Sequence, residues 1–226
     1  MTLAELAKAV DVPSPTVFRL LRDLEARGWV FRSRAKTYSL GPTVVGIAHM
    51  YLRRSSVISA GEPVMRRLRD ETGETVSLTA LAGNYRIYVA ECPSLQPLRF
   101  VHEVGALAPV HAGASGRAVL SLLDAETRHS VLSGTLESYS DSTITDLEAL
   151  EASIVEVQRQ GYAVSYGERS VGAVGIAVPF RDPVTDAPYS LAIFMPVARF
   201  DPSKVDGYVA SLQMAVREVV AANVRI

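Results

Sequence analysis

Leu3, Leu6 and Val10 fall on one side of a helix wound at 3.6 residues per turn, and Val17, Leu20, Leu21 and Leu24 make a second apolar stripe shortly afterwards. Thr2, followed three residues on by Glu5, is a capping-box pair, so the first helix is expected to begin at Leu3. Pro13 supplies no backbone donor and closes that helix, and Ser14 is expected to cap the next one, with Pro15 in its first turn. The outward face of the second helix then carries Thr16, Arg19, Arg22 and Asp23. Two short helices around a tight break, the second with a basic face, have the form of a helix-turn-helix. Gly28 stops the second helix, and the segment from Trp29 to Leu40 alternates as a hairpin with Arg32, Arg34 and Lys36 at or near its tip, in the manner of a wing. From Thr43 to Arg54, helical spacing returns at Val44, Ile47, Ala48, Tyr51 and Leu52, with Arg53 and Arg54 suited to the dipole of the last turn. So small a head offers that stripe no obvious partner, and a second copy of the helix is the expected one.

The pattern changes after this helix. A further helix is expected over 57–71, then strands over 74–81 and 85–90 joined by a turn at Gly83-Asn84. A third strand is expected over 98–102, helices over 115–123 and 125–132, and a long helix over 146–160 capped by Thr145 with Glu148 and ended by Gly161. Strands over 162–166, 174–180 and 189–195 and a terminal helix opened by Asp201-Pro202 complete the chain. This order predicts an α+β fold, an antiparallel sheet with helices segregated around it, behind the N-terminal head.

The chain has 226 residues, 48% hydrophobic and 21% charged, which suits a folded protein of more than one domain. Its most apolar stretches, such as 171–180, fall well short of the roughly 20 residues of a bilayer span, so no membrane association is expected. The start lacks the basic segment and apolar core of a secretory signal, and the lone Cys92 excludes an internal disulfide; both suit the cytoplasm. A net charge of −1 conceals an asymmetry. Residues 1–54 hold nine Lys and Arg against four acidic residues, a net of +5, which leaves −6 for the remainder. A basic head on an acidic body points to a nucleic-acid duplex: arginines can read the paired acceptors of guanine, and a basic wing can rest on phosphates.

Catalytic chemistry is not indicated. The four histidines, His49, His102, His111 and His129, lack metal-ligand spacing, and one cysteine makes no zinc framework. Nucleophile elbow, Walker loop and dinucleotide fingerprint are all missing, so no enzyme, cofactor or metal is expected. The segment Pro109-Val110-His111-Ala112-Gly113-Ala114-Ser115-Gly116-Arg117-Ala118 runs small residues into a helix start. Such a segment suits a carboxylate, or simply lets a helix pack tightly on a strand, and both readings stand. A second glycine-rich run, 170–177, leads into a strand.

In this order, and over nearly the full length, several motifs resemble the IclR-type (isocitrate lyase regulator) transcription factors. They are Leu3-Ala4-Glu5-Leu6-Ala7, Thr16-Val17-Phe18-Arg19-Leu20-Leu21, Tyr38-Ser39-Leu40-Gly41, Glu71-Thr72-Gly73-Glu74-Thr75-Val76, Gly105 with Pro109-Val110-His111, Gly116-Arg117-Ala118, Gly161-Tyr162-Ala163-Val164 and Val178-Pro179. The resemblance implies a winged helix-turn-helix over 1–41, lacking about one helix that family members carry before Thr2, then a linker helix over 42–56 and a GAF-like effector-binding domain over 57–226. It also implies a homodimer or dimer-of-dimers tetramer on a double-stranded DNA operator, sensing a small organic or aromatic acid. On the head, Ser14, Pro15, Thr16, Arg19, Arg22, Arg34 and Lys36 are the expected DNA contacts. In the sensing domain the resemblance implies His111, Gly113, Ala114 and Ser115, with backbone donors at Gly113-Ala114 for the effector carboxylate. Ser165 stands where the family often has an acidic residue, Gly175 where a cysteine is common, and Ala192 and Phe194 where small hydroxyl residues often sit. Fewer polar groups and one added aromatic favour a larger or more apolar acid than a two-carbon one. The alternative is an effector-binding or assembly module whose head does not bind DNA. An enzyme using the 113–117 loop as an anion cradle would need a nucleophile–base pair that the sequence does not supply.

Overall fold

The computed structural model describes residues 1–223, apart from the side chains of Arg53 and Arg54, so the dipole role expected of those two arginines lies outside the described residues. The chain divides into two compact units, Met1–Ser55 and Ser56–Ile226.

The first unit holds α1 (Leu3–Ala9), α2 (Ser14–Ala26), β1 (Val30–Arg32), β2 (Tyr38–Leu40) and α3 (Thr43–Arg54). The capping box forms: Glu5 N–H donates to Thr2 Oγ1 at 3.3 Å and Thr2 N–H to Glu5 Oε2 at 2.7 Å. Val10 is exposed, not buried, because α1 stops one residue short of it; Ala7 takes its place in the core. Ser14 does not cap α2. Pro13 is the N-cap, and its carbonyl accepts from Thr16 and Val17, leaving Ser14 and Pro15 as the first two helical residues. The buried side of α2 is also narrower than the spacing suggests. Val17 and Leu21, one turn apart, join Ala7 and Tyr38 in a small core, while Leu20 and Leu24 remain exposed because this core covers only one strip of the helix. The hairpin pairs Val30 with Leu40 and Arg32 with Tyr38, and Ser33 and Thr37 close its tip through a 2.6 Å hydroxyl contact. Along α3, Val45, Ile47, Met50 and Tyr51 are exposed.

The second unit is built on a six-stranded antiparallel sheet in the order β5-β4-β3-β8-β7-β6. Its strands are β3 (Thr75–Ala82), β4 (Tyr85–Cys92), β5 (Leu107–Pro109), β6 (Ala163–Tyr166), β7 (Ala173–Arg181) and β8 (Pro188–Pro196). The helices are α4 (Ser56–Thr72), α5 (Ala114–Leu120), α6 (Ala125–Val131), α7 (Leu147–Gln160) and α8 (Val205–Asn223). Successive strand residues point to opposite faces, so directly paired residues share a face. Val76 pairs with Ile193 and Leu78 with Leu191. Leu78 lies beside Gly61 of α4, so this row belongs to the face that α4 covers. The alternate row, with Ala163, Ala177, Ala192 and Phe194, packs against Ala114 and Ala118 of α5 and Val157 of α7.

Two expectations in this unit fail for identifiable reasons. No strand forms over 98–102, because side chains take up its backbone groups: the Phe100 carbonyl accepts from Thr75 Oγ1 at 2.7 Å and His102 N–H donates to Glu91 Oε1 at 2.6 Å. The strand after β4 is instead the short β5. Asp146, not Thr145, caps α7, accepting from Ala149 N–H at 2.8 Å. Among the described residues no helix is long and apolar enough to cross a membrane.

Candidate functional site

Two separate surfaces carry the functional questions, one in each unit. On the first unit, Ser14, Pro15, Thr16, Arg19 and Arg22 are exposed along the N-terminal half of α2, and Arg34 and Lys36 are exposed at the hairpin tip. Lys36 sits at φ +60° inside the tight Ser33–Thr37 turn, so the tip bends sharply and holds its two cations outward. Among the described residues none of these four cations forms an ion pair, whereas Arg32 lies over the Tyr38 ring at 5.7 Å. An unpaired cation needs no partner displaced before it meets a phosphate.

On the second unit, a cavity opens over the α5 face of the sheet. It encloses about 380 Å³ of empty space, its open mouth included. Strand register explains its floor. Ser165 of β6 pairs with Gly175 of β7, Gly175 with Phe194 of β8, and Phe194 with Thr75 of β3, so one row of residues crosses four strands on a single face. The absence of a side chain at Gly175 lets the Phe194 ring lie against the floor: a Cβ there would be 3.0 Å from Phe194 Cε1. Aromatic rings form one wall. Tyr88 and His102 stack with centroids 4.3 Å apart, and the edge of Phe194 meets His102 at 4.8 Å. Glu91 fixes the imidazole through a 3.0 Å contact to Nδ1 while also accepting from Ser77 Oγ at 2.9 Å. Glu168 and Ser170 of the loop before β7, with Ala173 at the start of that strand, close the other side.

Electrostatics divide this cavity unevenly. Glu168 is buried and accepts from Gly113 N–H at 2.9 Å and from the Arg117 guanidinium, which also reaches the Val164 carbonyl. Its charge is therefore balanced within the protein. The side chain of Arg86, 2% exposed, donates twice through Nη1 to the Pro109 and Ala112 carbonyls. Among the described residues it forms no ion pair, and its Nε is buried without a partner.

The family description "Bacterial transcriptional regulator IclR C-terminal" matches residues 49–221, and "IclR helix-turn-helix domain" matches residues 1–34. The chain belongs to the IclR family. Its relatives include the "Probable transcriptional regulator SauR" of Cupriavidus necator, 31% identical over 97% of this chain and 88% of that one. Among solved structures, an IclR transcriptional regulator from Silicibacter sp. TM1040 superposes with a TM-score of 0.91 at 28% identity, covering 99% of this chain and 89% of that chain. An IclR homologue from Microbacterium hydrocarbonoxydans, solved in complex with 4-hydroxybenzoate, shares the fold with a TM-score of 0.77 at 24% identity, covering 100% of this chain and 92% of that one. The protein is a transcriptional regulator of this family, and its homologues are regulators, not enzymes.

Of the residues that resemblance to IclR regulators singled out, Gly113, Ala114, Ser165, Gly175 and Phe194 line the cavity together. Three others do not. His111 faces a second cavity beside Tyr139 and donates from Nε2 to the Glu137 carbonyl at 3.0 Å. Ser115 is fully buried in α5 with its hydroxyl unpartnered, because the short helix presses its whole length into the core. Ala192 is sealed in the apolar cluster beneath Phe194. Of the two expected backbone donors, Gly113 and Ala114, the Gly113 N–H is bonded to Glu168. Arg86, Tyr88, His102 and Glu168 were not anticipated. For Arg86 a signal existed: it shares strand parity with the buried Tyr88, and a charged residue at an inward position is unusual.

Proposed function

We propose that this IclR-family regulator binds operator DNA through its first unit and senses a small, partly apolar or aromatic acid in the Arg86–Phe194 cavity. The domain reading that goes with this is a winged helix-turn-helix over 1–41, a linker helix over 42–56 and an effector-binding domain over 57–226. Thr16, Arg19 and Arg22 face base edges and neighbouring phosphates, with Ser14 and Pro15 at the start of the same turn, and Arg34 and Lys36 lie along the backbone. The observation that carries this reading is the set of exposed, unpaired cations on α2 and the hairpin tip of one small unit. A major groove admits one helix, and arginine is the commonest specific reader of guanine. The exposed apolar stripe of α3 supports a homodimer or a dimer-of-dimers tetramer, which a pseudo-palindromic operator would match. Acting on chromosomal DNA, such a regulator works in the cytoplasm. For the effector, the aromatic wall and the unbalanced Arg86 charge support an acid with a flat body, and the 4-hydroxybenzoate complex of the Microbacterium homologue is in keeping with that class.

The test is a mobility shift on the gene's own promoter region at several salt concentrations. The expected outcome is a steep linear fall of log affinity with log salt and a preference for promoter over random duplex. Replacing both Arg34 and Lys36 with alanine should lower the slope by about 2 and weaken both duplexes equally, whereas Arg19→Ala should cost about 1–3 kcal/mol and erode the preference. Equal affinity for promoter and random duplex at every salt concentration would remove operator recognition from the protein.

A further inference from the structure

We infer that Arg86, rather than the Gly113 amide, is the residue that takes the anionic group of the effector. The inference deepens the acid-sensing reading of the same cavity and rests on it. Three observations converge. First, the guanidinium is 2% exposed and lines the cavity, yet no carboxylate among the described residues pairs with it. A buried charge without a counter-ion is costly, and the two carbonyls on Nη1 return only part of what water supplied. Second, the unused donors lie together. Nε is buried without a partner, and Nη2 makes no hydrogen bond to any described residue while sitting 3.6 Å from the point where a Cβ on Gly113 would be. Nε and Nη2 form one edge of the planar guanidinium, the pair that grips a carboxylate with two parallel bonds. Third, one competing donor is spent: Gly113 N–H is bonded to Glu168, whose other oxygen engages Arg117.

The surroundings set the class of ligand. The Arg86 guanidinium lies 5.9 Å from the Tyr88 ring, which stacks on His102, and His102 meets the edge of Phe194. A carboxylate at Arg86 therefore carries its body along an aromatic wall, while the carboxylate of Glu168 lines the same cavity and opposes a second negative charge. Benzoate-like monocarboxylates match the chemistry of this lining. The main-chain carbonyls of Pro109 and Ala112 hold the guanidinium in position, so the ligand meets a preorganised fork.

Isothermal titration of the full chain with benzoate, 4-hydroxybenzoate and the uncharged counterpart benzamide tests this. The wild type should bind the carboxylates at least about tenfold more tightly than benzamide, as expected for a charge-assisted hydrogen-bonded pair. Arg86→Gln should abolish that ratio, and Arg86→Lys should restore part of it. A merely structural arginine would lower the melting temperature and leave the ratio unchanged. Should Arg86→Gln not fold, a crystal structure of the wild type with benzoate decides the matter by whether the carboxylate lies about 3 Å from Arg86 Nε or Nη2. A carboxylate that binds elsewhere, or an unchanged ratio in a folded Arg86→Gln, overturns the assignment and leaves acid sensing intact. If the wild type binds neither carboxylate, acid sensing and the assignment fall together.

Discussion

At the level of single residues, the cavity depends on positions where a side chain would be in the way. Gly116, in the first turn of α5, lies so close to β5 and its connection that a Cβ there would sit 1.9 Å from the Val110 carbonyl oxygen. Because every residue of α5 is buried, the helix has nowhere to retreat. Gly116→Ala is therefore expected to destabilise the second unit by at least about 2 kcal/mol, read as a lower midpoint in urea denaturation, since overpacking a filled core costs about 1–3 kcal/mol or more. A small-residue run at 113–118 announced such close packing in the sequence, and the two readings left open there both have a physical counterpart: α5 does press on a strand, and its leading amide does hold a carboxylate, the protein's own Glu168. Glu168 carried no local signal. Its role depends on the loop before β7 folding back over a helix start more than 50 residues earlier, which no periodicity encodes. Cys92 is a small buried residue that closes β4, and burial pushes its thiol above the ordinary value.

Among the elements, extents match for short ones such as α6 and β6 as well as for longer ones. α4, α7, β3, β7 and β8 fall within two residues of their expected bounds, whereas the segment 98–102 does not form a strand because Thr75 and Glu91 satisfy its backbone from the side. Period 2 marks a sequence as able to pair, but a ladder forms only where a neighbouring strand is free. The junction between the β7–β8 turn and α8 shows the same dependence on distant partners. Asp182 accepts from Val184 N–H at 3.0 Å, Thr185 Oγ1 at 2.6 Å and Asn223 Nδ2 at 2.6 Å, so one carboxylate joins the turn to the last residue of the helix. Burial alone would push this carboxyl up; the three hydrogen bonds, Thr185 foremost, outweigh it and hold its pKa below the ordinary 3.8. A depressed carboxyl contributes stability above its unfolded value and loses it as the pH falls through the folded one. Acid below about pH 4 should therefore loosen the end of α8, visible as faster amide exchange near residue 220. Asp182→Ala should show that loosening already at pH 7 and cost about 1–3 kcal/mol. If exchange in Asp182→Ala matches the wild type at pH 7, the carboxylate does not anchor the helix.

For the whole molecule, a net charge near zero is the sum of a basic unit that suits a polyanion and an acidic one that does not, so the proposed acid effector would have to reach Arg86 within an otherwise negative body. Regulation then requires the acid to bind one arrangement of the regulator more tightly than another, because a ligand with equal affinity for both shifts nothing. Linkage makes this quantitative. If benzoate changes the affinity for promoter DNA by some factor, the same DNA must change the affinity for benzoate by that factor, and couplings of this kind usually lie between about 5-fold and 150-fold. Two measurements check it independently: anisotropy of labelled promoter DNA titrated with protein at zero and saturating benzoate, and calorimetric titration of benzoate into protein with and without saturating promoter DNA. The two factors should agree. Benzoate that binds in the calorimeter yet leaves the anisotropy curve unmoved would mean that the cavity accepts acids without reporting them to DNA, and sensing would have to be assigned to a different ligand. Benzoate that moves the DNA curve while its own affinity stays blind to DNA violates reciprocity, and would show that it acts on the DNA complex from outside this cavity.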